Sequence, residues 1–141
     1  MPHTPFGSLI PEILAARTFA VVGASRDPAK YGHMVYTTLK QAGYETFAVN
    51  PTADEIDGDP AYPSLDNLPR TPECVVTVVP PAVTETVARA AARHGTRYLW
   101  MQPGSESEAA VHAAHAAGLC TVHGGPCIMV AVKSHARRRR T

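Results

Sequence analysis

The chain has 141 residues, of which 45% are hydrophobic and 18% charged, and these values indicate one globular domain and exclude a disordered chain. The net charge is +1, but residues 1–132 hold eight bases and twelve acids, which excludes duplex nucleic acid as a partner of that part. No apolar run approaches the ~20 residues of a membrane span and no secretory signal pattern opens the chain, so we expect a cytoplasmic protein without a membrane partner.

The charge distribution also indicates how the chain divides. Residues 133–141 contain five bases and no acids. We expect residues 1–132 to form one domain and residues 133–141 to form a flexible basic C-terminal tail. Such a tail is able to contact phosphates or a protein partner.

A strand followed by a helix is the pattern that repeats along the first half of the chain. A helix is predicted near residues 11–17, and residues 19–23 form a short continuous apolar run, which is typical of a buried parallel strand. Apolar residues at helical spacing over residues 31–42 predict the next helix. Residues 44–49 predict a second strand, which an Asn-Pro pair ends, and residues 52–72 are predicted to be mostly loop.

The same alternation resumes in the second half. Residues 75–79 predict a third strand, which two prolines end before the next helix. Residues 97–101 predict a fourth strand, and the helix after it is predicted to begin at Ser105, because Glu108 completes a capping box. Residues 119–122 predict a fifth strand.

This order of elements predicts the fold class. Strands that alternate with helices form βαβ units and a parallel sheet, and right-handed crossovers place the helices on both faces. We therefore predict an α/β fold with a Rossmann-like, doubly wound parallel sheet of about five strands in a single domain.

The loops that follow the strands are the candidate binding site. Open α/β sheets bind ligands beyond the carboxyl ends of their strands, and a helix N-terminus there attracts phosphate through unpaired N–H groups and a partial positive charge. The loop residues are Gly23, Ala24 and Ser25, then Asn50, Pro51 and Thr52, then Pro80 and Pro81, and finally Gln102 and Gly104.

The first of these loops, residues 23–33, contains neither a Walker motif nor the GxGxxG of dinucleotide-binding folds. Ser25 and Lys30 carry donors for phosphate oxygens. Gly23 permits a tight turn, and Gly32 lets the start of the next helix approach a neighbour closely. The loop is therefore a candidate phosphate site, and an ordinary strand-to-helix loop is the alternative.

The end of the second strand discriminates between nucleotide classes. NAD-binding folds place Asp or Glu there to hold the ribose hydroxyls, whereas this chain has Asn50. Because a carboxylate would repel a phosphorylated ribose, its absence favours a ligand with a ribose phosphate, such as NADP or coenzyme A.

Several segments together resemble a known family. They are Gly-Ala-Ser at 23–25 with a following Asp-Pro and Lys30, Val-Asn-Pro at 49–51, Pro80-Pro81 after a strand, Leu-Trp-Met-Gln-Pro-Gly at 99–104, and a late cysteine. In their order and spacing, over about residues 10–133, the chain resembles the small single-domain CoA-binding proteins. Those proteins are similar to the CoA-binding domain of the succinyl-CoA synthetase α subunit.

The resemblance implies that coenzyme A or an acyl-CoA lies over the strand ends. The diphosphate would contact the first loop, including Lys30, Tyr31 and Gly32. The remaining residues that the resemblance assigns are, for the adenosine part, Asn50, Pro51, Val79, Pro80 and Pro81, and, for the pantetheine side, Gln102. Thr52 and Gly104, in the same loops, are further candidate cofactor-binding residues.

The resemblance also implies a binding protein without a complete catalytic apparatus of its own. The synthetases use a phosphorylated histidine that a separate domain carries, and no histidine of this chain matches its motif. CoA would be a small-molecule ligand, and a homo-oligomer or another protein a further partner. An NADP-binding small oxidoreductase and a nucleotide-sensing regulatory protein are the alternative functions.

The chain departs from the family pattern at positions that bear on phosphate binding. Thr52 and Val79 stand where family members often have a base, and Gly125-Pro126-Cys127 stands where several have Asp-Arg-Cys. Each missing charge-assisted contact corresponds to ~1.5–3 kcal/mol of CoA affinity. The bases that remain to replace these missing phosphate contacts are Lys30, Arg26 and the arginines of the C-terminal tail.

Histidines and cysteines give weaker signals. His112 and His115 share a helix face without an evident third ligand, so we expect exposed histidines and no metal site. For His123 with Cys127 and Cys120, a partial metal site or a thiol–base pair is the alternative to a structural role. Three cysteines without a CxxC motif indicate free thiols, and Trp100 is predicted to be in the core.

Overall fold

The computed structural model describes residues 6–140, in which helices and strands alternate. Within these residues the helices are α1 (Phe6–Leu14), α2 (Tyr31–Gln41), α3 (Pro81–Arg93), α4 (Glu108–Ala116) and α5 (Ile128–Arg140). The strands are β1 (Thr18–Val22), β2 (Glu45–Val49), β3 (Glu55–Ile56), β4 (Asp59–Tyr62), β5 (Cys74–Thr77), β6 (Tyr98–Met101) and β7 (Cys120–Val122). A short 3-10 helix covers Leu65–Asn67.

The strands form one sheet in the order β3-β4-β2-β1-β5-β6-β7. All neighbouring strands pair in parallel except β3 and β4, which are antiparallel. The chain runs outward from β1 to β2 and later returns to the other side of β1 with β5. The carboxyl end of β1 is therefore the switch point of strand order, which is where such sheets bind ligands.

The pleat of the sheet divides the core into two layers. Successive residues along each strand face opposite sides of the sheet. One buried cluster combines residues of α1, α2 and α5 with the strand residues Val21, Val76 and Trp100. The second cluster includes Val75, Leu99 and residues of α3 and α4. Helices thus cover both faces, which confirms the predicted doubly wound α/β fold.

The sheet is larger than predicted, because residues 52–72 contain a hairpin. β3 and β4 are joined by Asp57 and Gly58, whose φ angles are +52° and +83°, the signs that a tight two-residue hairpin turn requires. The Asp-Gly pair was the signal for this hairpin. β4 lies between β3 and β2, and it pairs with β2 through Ala61 and Tyr62, so Pro60 is outside the segment that pairs with β2.

Two predicted helix starts are displaced. The N-terminal helix covers Phe6–Leu14 and contains Pro11, whereas the sequence had placed this proline in the first turn of the helix. The helix tolerates the missing N–H group of proline because its apolar side chains are buried, namely those of Leu9, Ile13 and Leu14. Helix α4 is capped by Ser107, whose hydroxyl accepts a hydrogen bond from the Ala110 amide at 3.0 Å. Ser105 instead points into the core.

The domain boundary expected after residue 132 falls inside α5. The buried side chains of Ile128 and Val132 fix the start of this helix in the core, and the helix packs on α1 and α2. It continues through residues 133–140, since lysine and arginine are good helix formers. None of the helices in the described part of the chain has the length and apolar character needed to cross a bilayer.

A polar network holds the β3–β4 hairpin against α2. The Asp59 carboxylate accepts hydrogen bonds from the Tyr36 hydroxyl, at 3.0 Å, and from the Lys40 ammonium group. Burial and the Asp59 carboxylate raise the pKa of Tyr36, whereas the Lys40 ammonium group lowers the pKa of Asp59. One turn earlier, His33 Nε2 lies 2.8 Å from Asp57 Oδ2.

The Glu73 carboxylate ties the segment before β1 to the segment before β5. One of its oxygens accepts hydrogen bonds from the Arg17 amide at 2.9 Å and from the Thr18 hydroxyl at 3.0 Å. These bonds, with the Arg17 amide as the largest cause, hold the pKa of Glu73 below its usual 4.5.

We therefore expect Glu73→Gln to remove a pH-dependent part of the stability. A depressed carboxyl pKa stabilises the fold above pH 4.5, and this contribution is lost as the pH falls through the folded-state value. At pH 7 the variant should lose on the order of 1 kcal/mol, because the group is exposed. Urea unfolding at pH 7 and pH 3 measures this, with Glu55→Gln in β3 as a control; an equal deficit at both pH values would contradict it.

Candidate functional site

The loop after β1 brings the start of α2 against the sheet. Gly23 has a φ of +99°, and a Cβ atom on Gly32 would lie 1.9 Å from the Gly23 carbonyl oxygen. A Cβ atom on Gly23 would likewise lie 2.2 Å from the Val78 carbonyl oxygen. Only glycine at both positions allows this approach, which places the N-terminus of α2 beside the carboxyl end of β1.

Local hydrogen bonds fix the rest of this loop. The Ser25 hydroxyl oxygen accepts a bond from the Asp27 amide at 3.0 Å, and Asp27 Oδ1 accepts one from the Ala29 amide at 3.0 Å. The Lys30 amide then donates to the Asp27 carbonyl at 3.0 Å. Ser25 therefore stabilises a turn and still has a hydroxyl hydrogen with which to donate to a ligand.

The N-terminus of α2 has the properties of an anion site. Its N-cap residue is Lys30, whose side chain makes no capping hydrogen bond. The first amide N–H groups of a helix have no partner within the helix, and the helix dipole adds a partial positive charge. The exposed Lys30 ammonium group adds a full positive charge at the same place.

Asn50 connects the loops after β1 and β2. Its Nδ2 donates to the Ala24 carbonyl at 2.8 Å, and its Oδ1 accepts from the Thr52 amide at 2.8 Å and the Thr52 hydroxyl at 3.0 Å. Much of the hydrogen-bonding capacity of Asn50 is thus used within the protein. The side chain shapes the site and brings no carboxylate into it.

These loops enclose a cleft of about 560 Å³ at the switch point of the sheet. The structure brings together there eight of the residues predicted from the sequence, namely Gly23, Ala24, Ser25, Lys30, Tyr31, Gly32, Asn50 and Pro51, and adds Ala29 and Val78. Among these lining residues Lys30 is the one with a charged side chain. The cleft therefore suits an anionic ligand.

Four further predicted residues lie next to the cleft without lining it. Thr52 is exposed and bonded to Asn50. Val79 packs its side chain on the second core cluster, while Pro80 is the N-cap and Pro81 the first residue of α3. Val78, one residue before Val79, lines the cleft instead, and the apolar run 75–79 gave no signal for which of its residues would do so.

Gln102 and Gly104 lie farther along the same edge of the sheet. Gln102 is 5% exposed; its Oε1 accepts a hydrogen bond from the Ile128 amide at 2.7 Å, and its Nε2 donates to Cys127 Sγ at 3.4 Å. Gly104 donates its amide to Glu106 at 2.9 Å. Gln102 therefore fastens the start of α5 to the end of β6.

The histidine and cysteine candidates form no metal centre. Within residues 6–140 no group of three or more His, Cys, Asp or Glu side chains is arranged to hold a metal ion. His115 and His123 have ring centroids 6.1 Å apart, and burial together with the His115 ring lowers the pKa of His123. Trp100 is fully buried, as predicted.

A larger cleft, of about 830 Å³, lies at the opposite edge of the sheet. Its lining includes Ala42 and Gly43, which follow the C-terminus of α2, and the charged side chains of Arg17 and Glu45. The carbonyl end of a helix carries a partial negative charge. This cleft therefore presents groups of both signs, whereas Lys30 is the charged side chain that lines the 560 Å³ cleft.

Comparison with known proteins shows the family and the fold of the chain. Residues 17–133 match the family described as CoA binding domain. A conserved hypothetical protein from Pyrococcus furiosus superposes with a TM-score of 0.76 and 44% identity, covering 81% of this chain and 97% of that one. A hypothetical protein from Pyrococcus horikoshii has a TM-score of 0.86 and 30% identity, covering 95% and 98%.

A curated relative is part of a larger enzyme. The ADP-forming acetate–CoA ligase II subunit alpha of Pyrococcus furiosus is 38% identical over 65 residues. This match covers 45% of the present chain and 14% of the ligase subunit. The chain therefore corresponds to a small part of that relative.

Proposed function

Because the chain belongs to the family of CoA binding domains, we propose that it binds coenzyme A or an acyl-CoA in the cleft at the carboxyl ends of β1, β2 and β5. The observation that carries this proposal is the cleft itself. It combines a helix N-terminus, the Lys30 ammonium group and a lining without Asp or Glu among the described residues.

The proposed orientation follows from these charges. The diphosphate lies against the first turn of α2, where Gly32 lets backbone N–H groups approach and Lys30 supplies the opposite charge. The adenosine part lies toward Asn50, Pro51 and Thr52, and toward the segment that enters α3. The pantetheine arm runs in the other direction, over β5 toward Gln102 and Gly104.

We propose that the chain holds CoA without completing a reaction by itself. The relative with ligase activity in its name is about seven times longer than the segment that matches, which covers 14% of it. A protein partner or a second copy of the chain would then receive or use the bound CoA in the cytoplasm. NADP is the alternative ligand, because it also carries a phosphorylated ribose.

Calorimetry with CoA, dephospho-CoA, NADP and NAD tests the proposal. We expect heat of binding with CoA, and weaker or no heat with NAD. Since Thr52 and Val79 supply no positive charge for the ribose phosphate, dephospho-CoA should bind within about tenfold of CoA, equivalent to 1.4 kcal/mol. Tighter binding of NAD than of CoA, or no heat with either form of CoA at millimolar concentration, would refute the proposal.

Lys30→Ala is expected to weaken CoA binding by ~1–3 kcal/mol, because a charge-assisted contact to phosphate is lost. The matched control is Lys133→Ala, which removes another exposed lysine on α5. Calorimetry should show that the CoA affinity of the control is within a factor of about two of that of the unmodified chain, because an exposed charge far from the cleft contributes little to binding. Equal CoA affinities of the two variants would show that Lys30 does not contact the ligand.

A further inference from the structure

Tyr31 differs from the other tyrosines of the chain because its ring is exposed and has no partner within the protein. It is 69% exposed, and within residues 6–140 its ring contacts no aromatic ring or cation and its hydroxyl makes no hydrogen bond. Internal packing therefore gives no reason for an aromatic side chain at this position. The other four tyrosines each have an internal hydroxyl bond or ring contact, namely Tyr36, Tyr44, Tyr62 and Tyr98.

The Tyr31 side chain lines the 560 Å³ cleft at the N-terminus of α2. Pro51, which is exposed just after β2, lines the same cleft. The amides of Tyr31 and Gly32 have no acceptor among the described residues, because the first N–H groups of a helix precede its hydrogen-bonded turns. Tyr31 therefore brings to the cleft both a free backbone donor and an aromatic ring.

The cleft thus places an anion site and an aromatic surface side by side. Consecutive Cα atoms are 3.8 Å apart, so the Tyr31 ring begins next to the residue that carries the ammonium group, Lys30. Tyr31 is the aromatic residue among those that line the cleft. A ligand that joins a phosphate to a planar base matches this pair of features, because the face of a base stacks favourably on an aromatic side chain.

We propose that the adenine of the bound nucleotide stacks on the Tyr31 ring, with Pro51 as the apolar neighbour of the base; this rests on the proposed function. The Tyr31 amide then donates to the diphosphate while its side chain holds the adenine. One residue thereby fixes the spacing between the two parts of the nucleotide. Because the ring has no internal partner, Tyr31 contributes to affinity and not to folding.

The test is calorimetry with CoA on the full chain and on its Tyr31→Ala and Tyr31→Phe variants. Tyr31→Ala should weaken binding roughly 5- to 150-fold, which corresponds to the loss of one base–aromatic stack. Tyr31→Phe keeps the ring and should keep the affinity. Met34→Ala is the matched control, since it removes another exposed side chain of α2 that does not line the cleft, and it should also keep the affinity. The urea midpoint of each variant should equal that of the unmodified chain, because exposed substitutions cost little stability.

The fluorescence of etheno-CoA, whose adenine is modified to fluoresce, reports stacking separately from affinity. At protein concentrations that saturate each variant, the unmodified chain and the Tyr31→Phe variant should quench this fluorescence. The Tyr31→Ala variant should bind the analogue without that quenching, since no aromatic ring then lies on the base.

The outcomes separate this inference from the proposed function. Unchanged CoA affinity of the Tyr31→Ala variant, equal losses in the Ala and Phe variants, or no quenching by the unmodified chain would overturn the stacking on Tyr31. In each of these cases, heat of CoA binding by the unmodified chain would leave the proposed function standing. An absence of that heat would refute the proposed function and this inference with it.

Discussion

Replacing Gly32 with alanine is expected to lower the free energy of unfolding by ~1–3 kcal/mol, as overpacking does, and to abolish the heat of CoA binding. Gly32 is buried in the first turn of α2, and its φ lies outside the left-handed range. Alanine would therefore suit the helix by itself. The added Cβ atom would lie 1.9 Å from the Gly23 carbonyl oxygen, so the helix start must move away from β1.

Gly43→Ala is the matched control at the other end of α2. Gly43 has a φ of +93° and no neighbouring atom within 4 Å of an added Cβ atom. Alanine there costs about 1–2 kcal/mol of backbone strain without moving the cleft. Urea unfolding should show a loss for both variants, whereas calorimetry should show CoA binding by the Gly43 variant alone. Full CoA affinity of the Gly32 variant would disprove the proposed role of the α2 N-terminus.

Replacing Trp100 with alanine is expected to lower the free energy of unfolding by ~3–5 kcal/mol, the range for large aromatic residues in a core. Trp100 is 0% exposed in β6 and belongs to the cluster beneath α1, α2 and α5. Its Nε1 donates to the Pro126 carbonyl at 3.1 Å. The substitution therefore creates a cavity and also frees the segment that carries Cys127.

Trp100→Phe separates these two contributions. A phenylalanine keeps much of the apolar contact but has no N–H group for Pro126, so we expect a loss of ~1–3 kcal/mol. Val130→Ala, at a site that is 64% exposed, should stay within about 0.5 kcal/mol of the unmodified chain. Urea unfolding of all three variants measures the effects. Equal stability of the Trp100→Ala and Val130→Ala variants would contradict the assignment of Trp100 to the core.

The succession of parallel strands and helices along the chain was predictable because each element carries its own local signal. Apolar runs that stop at Gly, Pro or Asn indicated β1, β2, β5, β6 and β7. The β3–β4 hairpin was missed because both strands are short and polar, and their pairing depends on the Asp57-Gly58 turn and on contacts of Asp59 with α2. Those contacts join residues that are far apart in the sequence.

The candidate site was predictable in part for the same reason. Strand-end loops are identified locally, and eight of their predicted residues line the cleft. Ser25 and Asn50 were correctly located in the loops, but the sequence did not indicate that their side chains bond within the protein. Val79 was expected at the site; its side chain packs on the second core cluster, and its Cγ1 atom lies 2.9 Å from where a Cβ atom on Gly23 would be.

The sequence by itself determined the α/β alternation, the parallel sheet and the edge that carries the candidate cleft, because apolar periodicity and turn residues act over a few neighbouring positions. The tertiary structure alone decided which residues meet at that edge. The contact of Gly32 with the Gly23 carbonyl and the bond from Gln102 to Cys127 depend on strand order and helix packing. Such contacts join segments that no local pattern relates, so only the folded chain reveals them.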